Sequence, residues 1–554
     1  MTNSRKRSGS PPRSPSAELG DWPGARGAER ALASRIRHNG VVILALALAS
    51  AGWSACSGTT SEPGSTESGG AGGQGGQGGS SGAGGSIEPA CGQSPKDEPG
   101  VLRDECGVFV AEKGAGEGSE AAPLGSIAEA IALAESSKKN TVFACRGAYA
   151  EAVVVPPGIT LYGGLDCDNA AWAPRGIDGM DRSAIQGAPG QIPLRLKGDG
   201  AGSPIVMDGF SVTAAAAMEA GGSSIAAIGE ESAVATLTSC DLIAGDAAPG
   251  APGEDAQIEL PATAQPGDAN KGTTACMNVV LNTGGAPLQN MCDGDEVSIG
   301  GAGGQASAAL GQSGLDGSPA NPAMPQSGVG GTGDMTCEVG KGNGTPGASG
   351  ADGAAGVGAT GLGQISTDVG FTGVSGGDGG GGAVGQGGGG GAGQKGKLGC
   401  AGASGGAGGA GGCGGKGGKG GQAGGSSIAL VSVNASITLA KVTLVVGSGG
   451  AGGNGGNAQG GGIGSPGSQG GTGAQGLPSG CSGGVGGKGG DGGSGGGGNG
   501  GHALGIAFQG AAPTGDFMVS PGVKGEAGKG GNGDFKLNGG QPGVEQDTLE
   551  LAPL

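Results

Sequence analysis

Histidine is almost missing from this 554-residue chain: there are two, and aromatic residues make up only 2%. Arginine stops at Arg195. These shortages exclude much chemistry. His38 lies in the N-terminal leader, so a Ser-His-Asp triad, a Cys-His pair or a histidine metal site would have to run through His502. Zinc is excluded again by the cysteines, which form no CxxC pair and have no histidine nearby. Aromatic platforms for sugar rings are limited, past the leader, to Trp172, Tyr149, Tyr162 and the phenylalanines. Long apolar runs are absent too. Val41–Ala51, VVILALALASA, is short of the about 18 residues that span a membrane. Positive charge is scarce beyond the leader. The first 55 residues hold 8 Lys and Arg against 3 Asp and Glu, so 21 basic and 44 acidic residues follow, a net of −23. That argues against nucleic acid and anionic membranes as partners. No cofactor and no metal is expected.

What is present is glycine, at 145 positions. From Gly399 to Gly420, and again from Gly480 to Gly501, it falls at every third residue. A three-residue period fits neither an α-helix nor an ordinary strand, but it fits a polyproline-II-type helix. Collagen needs imino acids, which these tracts lack. Two readings stay open: packed polyglycine helices, or disordered loops, which glycine's backbone entropy favours. In the packed reading, glycines in the 480, 483, 486 series face neighbouring backbones and the other two positions vary freely.

The N-terminus reads as an export signal. Arg35 and Arg37 precede the short apolar run, and small residues follow it. GWSACSG then resembles the bacterial lipoprotein cleavage site, with Cys56 as the lipidated residue, although Trp53 departs from the aliphatic residue that family prefers. The alternative is cleavage after Ala51 at Ala49-Ser50-Ala51. Ser57 opens a Ser/Gly-rich stretch suited to a tether. The expected localisation is the bacterial outer membrane or cell surface through a lipid anchor, or secretion.

Twelve cysteines in an exported chain imply disulfides. Lipidation of Cys56 leaves eleven, and one stays unpaired. Cys145 and Cys167 are one expected coil apart and are paired. Neighbours in sequence give Cys91 with Cys106, Cys276 with Cys292, and Cys400 with Cys413.

Residues 106–245 hold the globular signal. Val108–Ala111 reads as a strand. Residues 126–136 read as a helix, with Ser126 as N-cap, Glu129 completing a capping box and Ile127, Ala130, Ile131 and Ala134 on one face. Short β-rich runs follow: TVFAC, AVVV, ITLY, SAIQ, IPLRL, PIVM and FSVT. The opening GVFVA, the helix SIAEAI, the coil TVFACRGAYAEAVVV and ITLYGGLD resemble the N-terminal unit of right-handed parallel β-helix proteins, in which such a helix caps the first coil. The repeat returns later. GGSSIA begins at Gly221 and again at Gly424, and a weaker copy, GGHALGIAFQ, begins at Gly500. Each copy leads into a glycine-rich tract, as if large loops left and re-entered a solenoid at equivalent corners. The tracts themselves resemble the arrays of mycobacterial PE-PGRS proteins, without the PE domain. The expected organisation is a signal and lipoprotein cysteine over 1–56, a tether over 57–96, β-helix coils over 97–245, glycine-rich insertions over 246–425 and 448–501, a coil over 426–447, and a terminal coil and tail over 502–554.

Many parallel β-helix proteins are polysaccharide lyases or hydrolases, which use paired carboxylates. Asp166 and Asp168 are the best pair, and a turn at a strand end explains them equally. Trp172 could stack on a ligand or cover a coil end. Asp491 lacks the apolar neighbour of a calcium-binding nonapeptide. The expectation is a non-enzymatic surface protein with a structural, adhesive or matrix role, whose partners are the membrane, through its anchor, and cell-envelope glycans. The alternative is a lyase or hydrolase acting on acidic glycans in the β-helix groove.

Overall fold

The strands stack side chain on side chain, rung over rung. In the computed structural model, which describes residues 91–168, 172–174, 182–256, 259–260, 262–533 and 538–554, Val108 pairs with Val142, Val142 with Leu161, Leu161 with Met207, Met207 with Leu237, and Leu237 with Leu439, all in parallel. A second column runs Tyr149, Ile185, Val212, Leu242, Leu444, Val519. A third runs Val153, Leu194, Ala227, Leu430, Ile506. The three columns meet in one buried core. β-branched and aliphatic residues fill it because each must pack on the pleated surface of the rung below. The result is a mostly parallel, open, solenoid-like β architecture with one short α-helix among the described residues. Cys56, the leader and most of the tether lie outside the described residues.

That helix, α1 (Ile127–Ser137), buries Ile127, Ala130, Ile131 and Ala134 against the first strands. The Ser126 Oγ accepts from the Glu129 N–H, as a cap should. The expected return bond from Glu129 is replaced: the Glu151 carboxylate takes the Ser126 hydroxyl and the Ile127 and Ala128 N–H groups. An anion from the next coil therefore sits on the helix N-terminus, where the unpaired N–H groups are.

The GGSSIA copies stack in register although about two hundred residues separate them. Ser224 pairs with Ser427 and Ser427 with Ala503. The serines explain the motif. Ser426 N–H donates to Ser223 Oγ, and His502 N–H donates to Ser426 Oγ. Ser224 Oγ accepts from Gly245 N–H, and Ser427 Oγ accepts from Gly447 N–H. The second serine of each copy thus fixes the point at which the chain leaves the solenoid.

Beyond those exits the glycine tracts run as straight rods in contact with one another. Residues 480–501 form a central rod. Its N–H groups at 483, 486, 489, 492, 495 and 498 donate to carbonyls at 468, 465, 462, 459, 456 and 453. Those at 484, 487, 490, 493 and 496 donate to 389, 386, 383, 380 and 377. Its carbonyls accept from 409, 412, 415, 418 and 421, and from 344, 347, 350, 353 and 356. Every ladder steps by three residues. Near Gly495–Gly501 the segments 525–531 and 538–541 join as fifth and sixth neighbours.

This packing corrects the expectation that one glycine stripe faces neighbours and two positions vary. Two stripes are closed. A Cβ on Gly489 would lie 2.0 Å from the Cys413 carbonyl oxygen, and one on Gly490 would lie 1.9 Å from that of Ala351. The third stripe carries Ser482, Val485, Lys488, Asp491 and Ser494, then turns to Gly497 and Gly500. There the fifth rod arrives, and a Cβ would meet the Gly528 and Gly525 carbonyl oxygens at 2.2 and 2.1 Å. The sequence changes to glycine where the seam closes.

Five disulfides are present among the described residues. Cys91 is bonded to Cys106, and Cys145 to Cys167 across adjacent strands with Cα atoms 5.8 Å apart. The other expected pairs are exchanged: Cys276 bonds Cys400, Cys292 bonds Cys413, and Cys337 bonds Cys481. Rods lie beside partners that are remote in sequence, so proximity along the chain misleads. Cys240 is buried and unpaired, and burial pushes its thiol up to about 11. Bridges of this number belong to an oxidising, exported environment. No described helix is long and apolar enough to cross a membrane.

Candidate functional site

Two disulfide bridges and a set of hydrogen bonds tie together loops that carry exposed apolar side chains. The Cys276–Cys400 bridge joins the loop 275–282 to the turn 396–400. Cys276 N–H donates to the Ala401 carbonyl, and Ala401 N–H to that of Asn278. The buried Asn282 amide donates to the Thr274 and Gly402 carbonyls. Leu281–Asn282 pairs antiparallel with Ala306–Ser307. The Asp334 carboxylate accepts from Gly311 and Lys395 N–H groups, and the Gln394 amide donates to the Met335 carbonyl. The Cys337–Cys481 bridge then ties this last loop to the central rod.

These loops carry large side chains that find no core. Leu398 is 100% exposed, Val280 77% and Met277 70%. Val279, Leu310 and Val339 are exposed on the same linked loops. The segments 275–282, 307–311 and 473–480 contain no charged residue, in a chain of net charge −18. On the adjoining turns Lys341 pairs with Glu338 at 2.8 Å, Lys397 Nζ donates to the Gln475 carbonyl, and the Asp334 carboxylate is taken up by backbone N–H groups. Exposed apolar groups on fastened loops make this cluster the candidate interaction surface. The sequence signal was available: MNVVL, DMTCEV and KLGC put bulky residues beside cysteines inside low-complexity tracts.

The residues singled out for chemistry serve the scaffold. His502 is buried, with Nε2 against the Leu362 carbonyl at 2.6 Å and Nδ1 accepting from Val544 N–H at 2.9 Å. It continues the serine ladder by one rung. Burial holds its pKa below the ordinary imidazole value. Asp166 and Asp168 both engage Arg146, Asp166 at 3.6 Å, and Asp166 Oδ1 also accepts from Asp168 N–H. Trp172 is buried edge-on to Phe109, centroids 4.8 Å apart, and its indole N–H donates to the Glu120 carbonyl. It covers a coil end rather than offering a platform. Asp491 takes the Gly461 N–H and pairs with Lys488. Among the described residues no group of histidine, cysteine and carboxylate side chains is arranged to hold a metal ion.

No family model, no curated protein and no solved structure matches this chain.

Proposed function

We propose that the chain is a lipid-anchored cell-surface adhesion protein, in which a right-handed β-helix carries a stiff arm and the arm presents the apolar loop cluster to a partner surface. The observation that carries this reading is the disulfide-fastened tip with Met277, Val280 and Leu398 exposed. In this reading α1 caps the first coil, the rods are polyglycine-II-type helices, and Cys56 is the lipidated residue. The rods supply reach without a hydrophobic core of their own, since their cohesion comes from backbone hydrogen bonds. The partner surface is apolar or amphipathic, because a near-neutral tip gains little from charge and much from burying methyl and thioether groups. Cell-envelope glycans would meet the arm's polar flanks instead.

The test displays the full chain on cells and measures adhesion to alkyl-coated and to bare glass. Val279→Ser, Val280→Ser and Leu398→Ser together should abolish the preference for the alkyl surface and leave export and disulfides intact. Unchanged adhesion in that triple variant would refute the tip. Cys56→Ala should release the protein from the membrane fraction, and retention there would refute the anchor.

A further inference from the structure

Three bridges tie loops to glycine rods, and in one of them the two sulfurs are placed very differently. Cys337 is exposed on the loop 334–343, whereas its partner Cys481, on the central rod, is 0% exposed. A Cβ on Gly342 would lie 2.6 Å from Cys481 Sγ, so glycine backbone closes over that sulfur. The buried Gln394 amide covers it as well. Its Nε2 donates to the Met335 carbonyl at 2.7 Å and to Cys481 Sγ at 3.3 Å, one N–H for each. An incoming thiol therefore meets Cys337 and not Cys481. The other two bridges lack this polarity. At Cys292–Cys413 the Asn290 amide stands farther off, 3.5 Å from Cys413 Sγ, and Cys292 is half-buried. At Cys276–Cys400 no side-chain amide among the described residues donates to either sulfur.

Thiol–disulfide exchange is a displacement at sulfur, and its rate rises with the stability of the leaving thiolate. A thiolate released into a buried place without a donor is costly. At Cys481 a donor is already in position. The loop also stays in place when the bridge opens. The Asn343 amide donates to the Cys337 carbonyl and accepts from Ser482 N–H, and Asp334 accepts from Gly311 and Lys395 N–H groups.

We propose that Cys337–Cys481 is a thiol-exchange site that couples this chain reversibly to a cysteine thiol of a partner protein. The partner's thiol gives its proton to water, and its thiolate attacks Cys337 Sγ. A new S–S bond forms there, the Cys337–Cys481 bond breaks, and its electron pair leaves on Cys481 Sγ, where the Gln394 N–H meets it. One disulfide replaces another, so no oxidant or reductant is consumed. Attack by Cys481 on the mixed disulfide reverses the step and frees the partner. The neighbours in sequence, Met335 and Val339, are 49% and 69% exposed and suit a cysteine flanked by apolar residues, which glutathione lacks. The exchange needs neither the lipid anchor nor the exposed residues of the loop 275–282.

The oxidised full chain, incubated with acetyl-Val-Cys-Leu amide, quenched in acid and mapped by mass spectrometry, tests this. The peptide should appear on Cys337, with Cys481 as the free thiol, sooner than on either bridge Cys276–Cys400 or Cys292–Cys413. Glutathione, compared per thiolate present, should react more slowly. Gln394→Leu should slow the exchange about 2- to 10-fold, the worth of one hydrogen bond, with Cys276–Cys400 unchanged. A merely structural Gln394 predicts the opposite sign, since a loosened loop exchanges faster. In Cys337→Ser, the buried Cys481 thiol should stay unlabelled by iodoacetamide in the folded chain. Absence of an adduct, an adduct on Cys481, equal rates at the three bridges, or faster exchange in Gln394→Leu would each overturn the proposal. Glutathione reacting as fast as the peptide would overturn the assignment to a protein thiol.

Discussion

The solenoid and the glycine arm solve the same problem with opposite materials. In the solenoid, Leu161, Met207, Leu237 and Leu439 exclude water by side-chain packing, and the backbone needs partners on two sides only. In the arm, buried residues such as Gly405, Ala407 and Gly408 have almost no side chain, and the backbone takes partners on up to six sides. The first region tolerates exchange among aliphatic residues of similar volume. The second tolerates almost nothing at its closed positions, because the contact is carbonyl against Cα. Cohesion there rests on many backbone bonds worth about 0.5–1.5 kcal/mol each, set against glycine's large conformational entropy.

The comparison breaks most visibly at the bridges. Cys292–Cys413 closes a separation of 121 residues and Cys276–Cys400 one of 124. By the chain-entropy account each stabilises its region by about 4–5 kcal/mol. Cys292→Ser with Cys413→Ser should therefore raise amide exchange throughout 376–425 while leaving 141–165 protected. Equal exchange in both regions would show that arm and solenoid unfold as one unit.

Gly489→Val comes next. Its side chain would press on the Cys413 backbone, and overpacking against backbone costs about 3 kcal/mol or more. Lys488→Val, one residue away on the open seam, should stay within about 0.5 kcal/mol. Comparing exchange of residues 480–501 in the two variants decides between a packed rod and a solvated coil, for which both changes would be harmless. The matching change in the solenoid, Leu237→Ala, should cost about 2–5 kcal/mol through the cavity it leaves, and the urea midpoint would show it.

The junction between the regions is more modest. Ser427→Ala removes a hydroxyl that bonds both Gly245 and Gly447, and losing it should cost about 1–3 kcal/mol, read as faster exchange at the Gly447 amide.

The smallest effect is a pH dependence at His502. Its folded pKa lies below the ordinary value of 6.5 because the ring is buried. The unfolded chain therefore takes up the proton first as pH falls. Stability from this group is full above about pH 6.5 and declines below it. Protonation would also displace the Val544 N–H from Nδ1. The urea midpoint should drop between pH 7 and pH 5.5 in the natural chain and less in His502→Gln. An equal drop in both would assign the dependence elsewhere.

Much of the solenoid was legible because its information is local. Ser126 with its apolar face gives the helix, alternating valines and leucines give rungs, and the GGSSIA copies give the register across long insertions. The arm was legible only as a period. Any triplet of glycine looks like any other, so nothing in the sequence says that Gly412 lies against Gly487 or Cys276 against Cys400. The closure of a second stripe was equally hidden, because GGK and GGD admit either one open seam or two. The apolar tip escaped notice because exposed valine and leucine read as buried until the rods are assembled.

The three-residue ladder sets a rule for how such an arm can change length. Each step advances every rod by three residues, about 9 Å at 3.1 Å per residue. An insertion of one or two residues in the central rod would rotate the Lys488 and Asp491 seam into the Gly389 and Gly412 neighbours. Growth is therefore counted in whole triplets, and it must occur in facing rods together. The length of the rods can take only evenly spaced values, like the notches on a ruler.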